Sequence, residues 1–341
     1  MDLTQSTWMI RDLGQSVSAV RICPDKSIIA GGWDGKLSHW DSDGKLLWST
    51  DCMDRIESIC QIESKFIVTS GLHIVCVENG EQLWAHPLEG SADLLSYFDG
   101  EIVATSSVYD IEHGDFMESA IWKFSIEGEL IGVERMDERP WFVDSKFGLT
   151  LGLGRPKCGF LNDSVHYELP TNSPVTCGLA GKNAIIFGHA DGTITSSQGD
   201  LIHKQTQSVE SISLMENGFV AALENGELVA ITNKSKEIWK AKGQQISTQT
   251  VGFDQLHWCG RADGFSGEIE VRNPDGQILV ATNSARPRVS DSSQNRVGFG
   301  FDDGQILVWE QGLFNRRSTQ EISEQDGKKS ALAARLRSLR N

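Results

Sequence analysis

The chain has 341 residues and a formal net charge of -16, with 47 acidic and 31 basic side chains. This acidity repels polyphosphate, so it disfavours nucleic acid as a partner for the body of the protein. With 34 Gly and only 8 Pro, and with many of the Gly directly after Asp or Asn, the sequence indicates frequent tight turns rather than long helices. Its longest apolar runs are strand-sized and fall far short of the roughly 20 residues of a membrane span, so no membrane span is expected.

The N-terminal segment has neither the basic region nor the apolar stretch and cleavage site of a secretory signal. The seven cysteines form an odd set without any C-x-x-C spacing, which is typical of reduced, buried thiols and not of disulfides or a zinc site. We therefore expect a cytoplasmic protein, and we expect no cofactor.

A unit of about forty residues recurs along the chain. The first complete copy begins at Ile28 with a short apolar strand (IIAGG), a turn (WDG), an alternating strand (KLSHWD), a second turn (SDG) and a strand ending in Trp (KLLW). Related copies begin at Ile67, Ile185, Phe219, Leu256 and Val297. A regular period of this length is the sequence signature of propellers and solenoids.

Each unit is preceded by a short segment that can form an innermost strand. These segments begin near Val17, Ile56, Ala92, Trp141, Val175, Val209, Ile246 and Arg288, at intervals of 34 to 49 residues. Each interval accommodates four strands of about five residues with tight turns between them. Eight starts predict an all-β fold, an eight-bladed β-propeller over residues 1–318. Seven blades are the alternative if residues 141–171 do not form a sheet of their own.

The Asp-Gly pairs mark the turns inside each unit. A two-residue hairpin turn needs positive φ, which Gly adopts freely and Asp tolerates. Asp34-Gly35 is therefore assigned to the turn between the second and third strands, and Asp43-Gly44 to the next turn outward.

The N-terminal segment TWMIRDL has the pattern of a strand but belongs to none of these units, and the last unit stops after its third strand. Trp8 precedes Val17 by nine residues, much as Trp48 precedes Ile56 by eight. We therefore predict that the N-terminal strand completes the last blade and closes the ring, which removes exposed sheet edges.

Two kinds of propeller repeat are recognisable. Residues 30–41 (AGGWDGKLSHWD) and 298–310 (GFGFDDGQILVWE) resemble the second half of a WD40 repeat. Residues 44–48 (GKLLW) and 80–84 (GEQLW) resemble instead the quinoprotein (PQQ)-like repeat, whose tryptophan wedges between blades, so Trp48 should pack in this way. The resemblance implies a β-propeller scaffold for protein interactions. The Gly-His dipeptide that typically opens a WD40 repeat is missing from that position, and Gly188-His189 falls in a second strand instead, so the hydrogen-bond network built on it is not carried over. The quinone cofactor is not implied either.

Blade three carries an insertion, SSVYDIEHGDFMESAIWKF. Insertions in repeat proteins usually fall on one face, which is often the binding face. We expect a loop here, on which carboxylates crowd beside a histidine and apolar side chains. The candidate contact residues are Tyr109, Asp110, Glu112, His113, Asp115 and Glu118, and Arg155 and Lys157 of blade four could neutralise them. The interpretations are an acidic recognition loop, a metal site of hard oxygen ligands, or a merely solvated loop.

The repeat pattern ends after Phe314, and residues 319–341 read as a polar linker followed by a basic amphipathic helix. The candidate contact residues of this basic tail are Lys328, Lys329, Leu332, Arg335, Leu336, Arg337, Leu339 and Arg340. Because residues 328–341 hold five basic side chains and no acidic one, residues 1–327 carry a net charge of -21. This tail could bind the chain's own acidic propeller, lie in a groove of a partner protein, bind nucleic acid or anionic lipid, or be a disordered end.

No G-x-S-x-G elbow, Walker A sequence or His-Glu-x-x-His motif is present. The sequence therefore predicts a non-catalytic, WD40-like scaffold that binds an unidentified protein through blades three and four and the basic tail. The alternative is an enzyme, or a sensor of a small ligand or metal, that uses the central channel or the blade-three carboxylates.

Overall fold

The computed structural model describes residues 3–112 and 114–318 of the chain. This part consists of β-strands with short connections, two 3-10 helical turns (Thr4–Ser6 and Phe253–Gln255) and a helix over residues 311–318. The strands of the first half are β1 (Met9–Asp12), β2 (Val17–Ile22), β3 (Ile28–Gly32), β4 (Lys36–Trp40), β5 (Leu46–Asp51), β6 (Ile56–Ile62), β7 (Lys65–Ser70), β8 (His73–Glu78), β9 (Glu81–Pro87), β10 (Ser91–Phe98), β11 (Glu101–Asp110), β12 (Asp115–Phe124), β13 (Leu130–Met136), β14 (Pro140–Asp144), β15 (Thr150–Leu153), β16 (Phe160–Asn162) and β17 (Val165–Tyr167). The strands of the second half are β18 (Val175–Ala180), β19 (Ile185–His189), β20 (Thr193–Ser196), β21 (Leu201–Lys204), β22 (Val209–Met215), β23 (Gly218–Leu223), β24 (Leu228–Thr232), β25 (Glu237–Ala241), β26 (Gln245–Val251), β27 (His257–Asp263), β28 (Ser266–Arg272), β29 (Ile278–Ala285), β30 (Pro287–Ser293), β31 (Arg296–Phe301) and β32 (Gln305–Glu310).

In the described residues these strands form eight four-stranded antiparallel sheets, the blades of a propeller. Blades one to seven are meanders of four consecutive strands, from β2–β5 to β26–β29, and blade eight combines β30, β31 and β32 with β1. The first strands of neighbouring blades contact one another in a closed cycle, so they line a central channel. The predicted eight-bladed propeller is confirmed. Seven blades are excluded because β14–β17 form their own sheet.

The N-terminal strand closes the ring, as predicted. β1 pairs antiparallel with β32, so that Met9 lies opposite Val308 and Asp12 opposite Gln305. Met9 is buried together with Trp40 of blade one in a cluster that spans the closure. The strand therefore completes blade eight and also contributes to the contact between blades eight and one.

The turns of the meanders alternate between two faces of the ring. We call the face that carries the turns between second and third strands, together with the connections between blades, the upper face. The opposite, lower face carries the turns between first and second and between third and fourth strands.

The helix over residues 311–318 packs on the lower face between blades seven and eight. The Phe314 ring lies 5.4 Å from the Phe253 ring and 5.3 Å from the Trp258 ring. The Asn315 side chain donates a hydrogen bond to Asp254 at 3.0 Å. The repeat pattern did not predict this helix, because the burial of Phe314 that stabilises it comes from a turn about sixty residues earlier in the chain. Within the described part of the chain, no helix has the length and apolarity needed to cross a membrane.

Tryptophans of outer strands pack against glycines in the outer turn of the next blade. Trp84 of blade two lies against Gly128 of blade three, and Trp239 of blade six lies against Gly276 of blade seven. In both pairs the indole N–H donates to the carbonyl oxygen two residues before the glycine, at 3.1 and 3.0 Å. The glycine thus serves two purposes, since it adopts positive φ and leaves room for the indole ring.

Trp48 packs between blades one and two, as predicted. Its ring lies 5.7 Å from the Phe66 ring, and a Cβ atom on Gly80 would lie 2.9 Å from the Trp48 side chain. Trp48 therefore contributes to the packing between blades one and two.

We expect Gly276→Ala to destabilise the protein far more than Gly199→Ala. Both glycines lie in an outer turn with positive φ, 83° and 86°. An added Cβ would lie 2.5 Å from the Trp239 ring at Gly276, whereas no described atom lies within 4 Å of it at Gly199, because blade four has no outer tryptophan. Gly199→Ala should cost about 1 kcal/mol for backbone strain, and Gly276→Ala should cost roughly 1–3 kcal/mol more for overpacking. Urea unfolding measures both, and equal losses would contradict this account of the outer turns.

A buried ion-pair network joins blades six and seven. Arg261 Nε lies 2.9 Å from one oxygen of Glu270, and Arg272 Nη2 lies 2.8 Å from the other. Arg261 also donates to two backbone carbonyl oxygens of the blade-six side, at 2.8 and 2.7 Å. His257 is fully buried beside this network, and burial, reinforced by the two guanidinium groups, lowers its pKa to about 3. His257 is therefore neutral in the folded protein at neutral pH.

Stability should fall as the pH is lowered from 7 to 5, in part because of His257. The unfolded chain takes up a proton near pH 6.5, whereas folded His257 does so only near pH 3. The stabilisation that comes from keeping His257 neutral is therefore complete above pH 6.5 and is lost as the pH falls toward 3. At pH 5 the loss in the free energy of unfolding amounts to about 2 kcal/mol. His257→Asn should remove this share of the pH dependence. Urea unfolding at several pH values tests it, and parallel profiles for wild type and variant would contradict the prediction.

Candidate functional site

The insertion in blade three forms a β-hairpin, so the prediction of a loop was wrong. β11 and β12 have ten residues each, and their pairing continues to Tyr109 opposite Phe116 and Asp110 opposite Asp115. The corresponding second strands of blades two and six have six residues. Four further residues at about 3.3 Å each raise the hairpin roughly 13 Å above its neighbours on the upper face.

The candidate carboxylates are distributed along this hairpin. Asp110 and Asp115 face each other at its end, Glu118 lies opposite Val108, and Glu112 is in the turn. Asp110 accepts a hydrogen bond from the Glu112 amide at 2.7 Å, as carboxylates in tight turns often do. His113 lies outside the described residues. Among residues 3–112 and 114–318, no group of three or more His, Cys, Asp or Glu side chains is placed to hold a metal ion.

An arginine from the next blade connection contacts the hairpin close to its tip. The Arg139 guanidinium lies 3.7 Å from the centre of the Phe116 ring and 4.1 Å from that of Trp141. Its Nη2 atom donates to Asp93 on the inner strand β10 at 2.7 Å. The Tyr109 ring lies 5.1 Å from the Phe116 ring in an edge-on contact. We call Tyr109, Phe116, Arg139 and Trp141 the aromatic-arginine cluster.

Asp93 is largely buried in this arrangement. Burial raises the pKa of its carboxyl group, and hydrogen bonds from Ser107 and Arg139 oppose that rise. One partly buried set of polar contacts thus joins the hairpin to the inner strands of blades three and four and to the connection between these blades.

Arg155 and Lys157 are exposed in the turn between β15 and β16, on the upper face of blade four. In the part of the chain that the structure describes, neither makes a hydrogen bond or ion pair with the hairpin carboxylates. Arg139 instead contacts the hairpin through the Phe116 ring, and its ion pair is with Asp93 of β10. Sequence reasoning missed Arg139 because its partners Asp93 and Phe116 are 46 and 23 residues away in the chain, and the only local signal was its position just before an innermost strand.

The most exposed large apolar side chains of the described residues lie at hairpin tips of the upper face. Phe265, in the turn between β27 and β28, is 95% exposed, and Ile111, at the tip of the blade-three hairpin, is 87% exposed. Blades three and seven are four blades apart, so the two tips lie on opposite sides of the channel. Trp33, Met53 and Leu72 are also exposed on this face, in blades one and two.

A cavity of about 500 Å³ lies in the central channel, between the inner strands of blades eight, one and two. Asp291 accepts a hydrogen bond from the Ile22 amide at 2.7 Å, and Arg21 donates to the Ile59 carbonyl at 2.8 Å. Glu57 also lines the cavity, and burial raises the pKa of both carboxyl groups. The cavity is polar enough to hold water or a small charged molecule.

The tail candidates lie outside the described residues. They are Lys328, Lys329, Leu332, Arg335, Leu336, Arg337, Leu339 and Arg340. The structure therefore brings together only the blade-three candidates, and the predicted C-terminal amphipathic helix stays a prediction.

The fold and the repeats define an eight-bladed β-propeller. No protein-family model and no curated protein matches the chain. Solved structures are similar to it. BamB from Moraxella catarrhalis, a PQQ-like propeller, has a TM-score of 0.73 at 14% identity, over 89% of this chain and 97% of that one. Sqt1 from Saccharomyces cerevisiae, a WD40 protein, has a TM-score of 0.70 at 12% identity, over 89% of this chain and 98% of that one.

The computationally designed Ika8 protein has a TM-score of 0.70 at 17% identity, over 88% of this chain and 98% of that one. At such identities the likeness shows the fold alone. The similarity to both a PQQ-like and a WD40 propeller confirms the propeller fold that the repeats predicted.

We expect Arg139→Ala to loosen the blade-three hairpin. The substitution removes the ion pair with Asp93 and the contacts with both rings, which together should cost about 2 kcal/mol. Hydrogen exchange of amides 108–117 should become faster by about thirtyfold, and Arg139→Lys should give an intermediate effect because it keeps only the charge.

Arg155→Ala is the matched control, since it removes an arginine from the same face. It should leave both the hydrogen exchange of the hairpin and the free energy of unfolding unchanged. A response to Arg155→Ala equal to that of Arg139→Ala would show that overall charge, and not the cluster, holds the hairpin.

Proposed function

We propose that this propeller is a non-catalytic scaffold that binds another protein through the blade-three hairpin and the adjoining surface of blade four. One observation carries the proposal: the hairpin presents an apolar side chain at its tip and is braced close to that tip. Ile111 is 87% exposed, while Arg139 contacts the rings of Phe116, near the tip, and of Trp141. A large apolar side chain displayed on an ordered support is typical of a contact surface.

The side chains around the tip suggest the chemistry of the partner. Tyr109 and Ile111 supply apolar area, and Asp110, Glu112, Asp115 and Glu118 surround it with negative charge. Interfaces commonly combine an apolar centre with a polar rim, so a partner with an apolar patch and a basic rim fits best. Arg155 and Lys157 extend the same face on blade four. Residues 328–341 are proposed as a second contact, on sequence grounds, and nucleic acid is the alternative partner for that segment.

The cytoplasm is part of this proposal. All seven cysteines, which lie in the described residues, are free thiols, and five of them are buried. Burial raises the pKa of Cys177 and of Cys259 to about 12, which keeps these thiols protonated and unreactive. Free cysteines in this number support a reducing compartment.

The channel cavity favours a second candidate function, the binding of a small polar ligand as sensor or enzyme. Arg21, Asp291 and Glu57 line the cavity, and none of them is part of the hairpin. The two candidates are separable: Arg21→Ala should abolish retention of a small ligand and leave the capture of a protein partner intact.

We expect Ile111→Asp to abolish capture of the partner without a change in stability. The substitution places a charge where the apolar contact should form, and surface changes at an exposed turn usually shift the free energy of unfolding by less than about 0.5 kcal/mol. Affinity purification of the tagged full-length chain from its native lysate, with quantification of what elutes, is the measurement.

Phe265→Asp is the matched control, because Phe265 is as exposed and lies at a hairpin tip of the same face. It should leave the capture intact. If neither substitution reduces the eluted partner, or if both do so equally, the blade-three hairpin is not the contact surface.

A further inference from the structure

The flank of the blade-three hairpin carries a groove of about 210 Å³, lined by residues of β11, β12 and β13 and by Glu89. Val108, Ala120 and Met136 give it an apolar floor, and Glu118 and Asp137 stand at its rim. Val108 is 38% exposed, although its neighbours further down β11 are buried. The groove can therefore accept an apolar side chain between two carboxylates.

The groove has a surplus of negative charge. Glu89, Glu118 and Asp137 line it, against a single guanidinium group from Arg135. Arg135 Nε donates to Glu89 at 2.9 Å, so the charge of this arginine is largely compensated by Glu89. Asp110 lies further up the same hairpin and adds to the negative field. A ligand that suits this groove presents apolar side chains and positive charges together.

One segment of the chain has this chemistry. Residues 328–341 (KKSALAARLRSLRN) contain five basic side chains and no acidic one. Leu332, Leu336 and Leu339 are spaced so that a helix would place them on one face, with arginines beside them. This composition complements the groove in both polarity and charge.

Within one chain, the linker before this segment is shorter than the width expected for the ring. The helix over residues 311–318 ends the described chain on the lower face between blades seven and eight, nearly opposite blade three. Residues 319–327 span at most about 30 Å even when fully extended. A compact ring of this length is roughly 50 Å across. The length of the linker does not restrict binding to the groove of a second copy, because the two molecules can approach each other freely.

We propose that residues 328–341 of one chain bind the groove on the blade-three hairpin of a second copy. The proposal rests on the proposed use of this hairpin as a contact surface, and it names one partner for it. The contact is heterologous, since a tail on one copy meets a groove on the next, so repetition gives a closed ring of copies or an open chain.

Sedimentation velocity over a micromolar concentration series tests the proposal with four chains. They are the full-length chain, a chain that lacks residues 328–341, the groove variant Glu118→Lys with Asp137→Lys, and the control Glu237→Lys with Asp275→Lys. The control changes the net charge by the same amount at exposed positions of blades six and seven. Circular dichroism confirms that each variant is folded.

The full-length chain and the control should associate as the concentration rises. The tail-deleted chain and the groove variant should each remain monomeric. A mixture of these two should form a dimer and nothing larger, because one copy supplies only the groove and the other only the tail. Raising the salt to about 1 M should weaken association by about tenfold, since the Debye length falls to roughly 3 Å.

A full-length chain that stays monomeric would overturn the proposal, as would a tail-deleted chain or a groove variant that still associates. A monomeric chain whose tail deletion alters hydrogen exchange at residues 118–120 would show docking on its own ring and overturn it equally. These outcomes are independent of the proposed scaffold function, which fails if Ile111→Asp leaves the capture of a different protein unchanged or if Phe265→Asp reduces that capture equally.

Discussion

The antiparallel pairing of β1 with β32 is the constraint on which the ring depends. Without β1, β32 would be an open strand edge, and Met9 could not fill the space between blades eight and one. Arg296 strengthens the same junction, because its guanidinium lies 3.7 Å from the centre of the Trp8 ring and donates to the Ser42 carbonyl of blade one at 2.7 Å. Each blade buries its faces only against its two neighbours, so closing the circle stabilises every blade at once.

The architecture was predictable because its signals are local. The predicted starts at Val17, Ile56, Val175 and Val209 are the observed first residues of innermost strands, and the other four starts deviate by one residue. Turn chemistry and strand alternation act over a few residues, so one copy of the repeat predicts the next. The packing of Trp48 was predictable for a related reason: the tryptophan recurs at the same position of the outer strand, and a recurring position has a recurring environment.

The candidate site was only partly predictable, because its contacts are not local. The crowding of carboxylates on the insertion was visible in the sequence. Whether residues 106–119 form a loop or prolong two strands depends on cross-strand pairs such as Tyr109 with Phe116, which sequence alone does not order. The role of Arg139 was missed for the same reason. Arg139 lies on the connection between blades three and four and pairs with Asp93 of β10, whereas Arg155 lies on a turn of blade four. Charge alone cannot distinguish them.

The ring also explains why one blade can carry an unusual surface. Residues 101–107 of β11 match the strands of other blades in their burial, so the extension begins only where the ring ends. Arg139, on the connection between blades three and four, and Asp93, on the inner strand β10, support the extension. The exposed tip of the hairpin is not part of the hydrophobic core. A hairpin built in this way can vary in length and charge at little cost to the fold. The same separation applies to the channel cavity, whose lining comes from blades eight, one and two. The proposed contact surface and the cavity therefore lie in different blades of one ring, so we expect a change in either to leave the other intact.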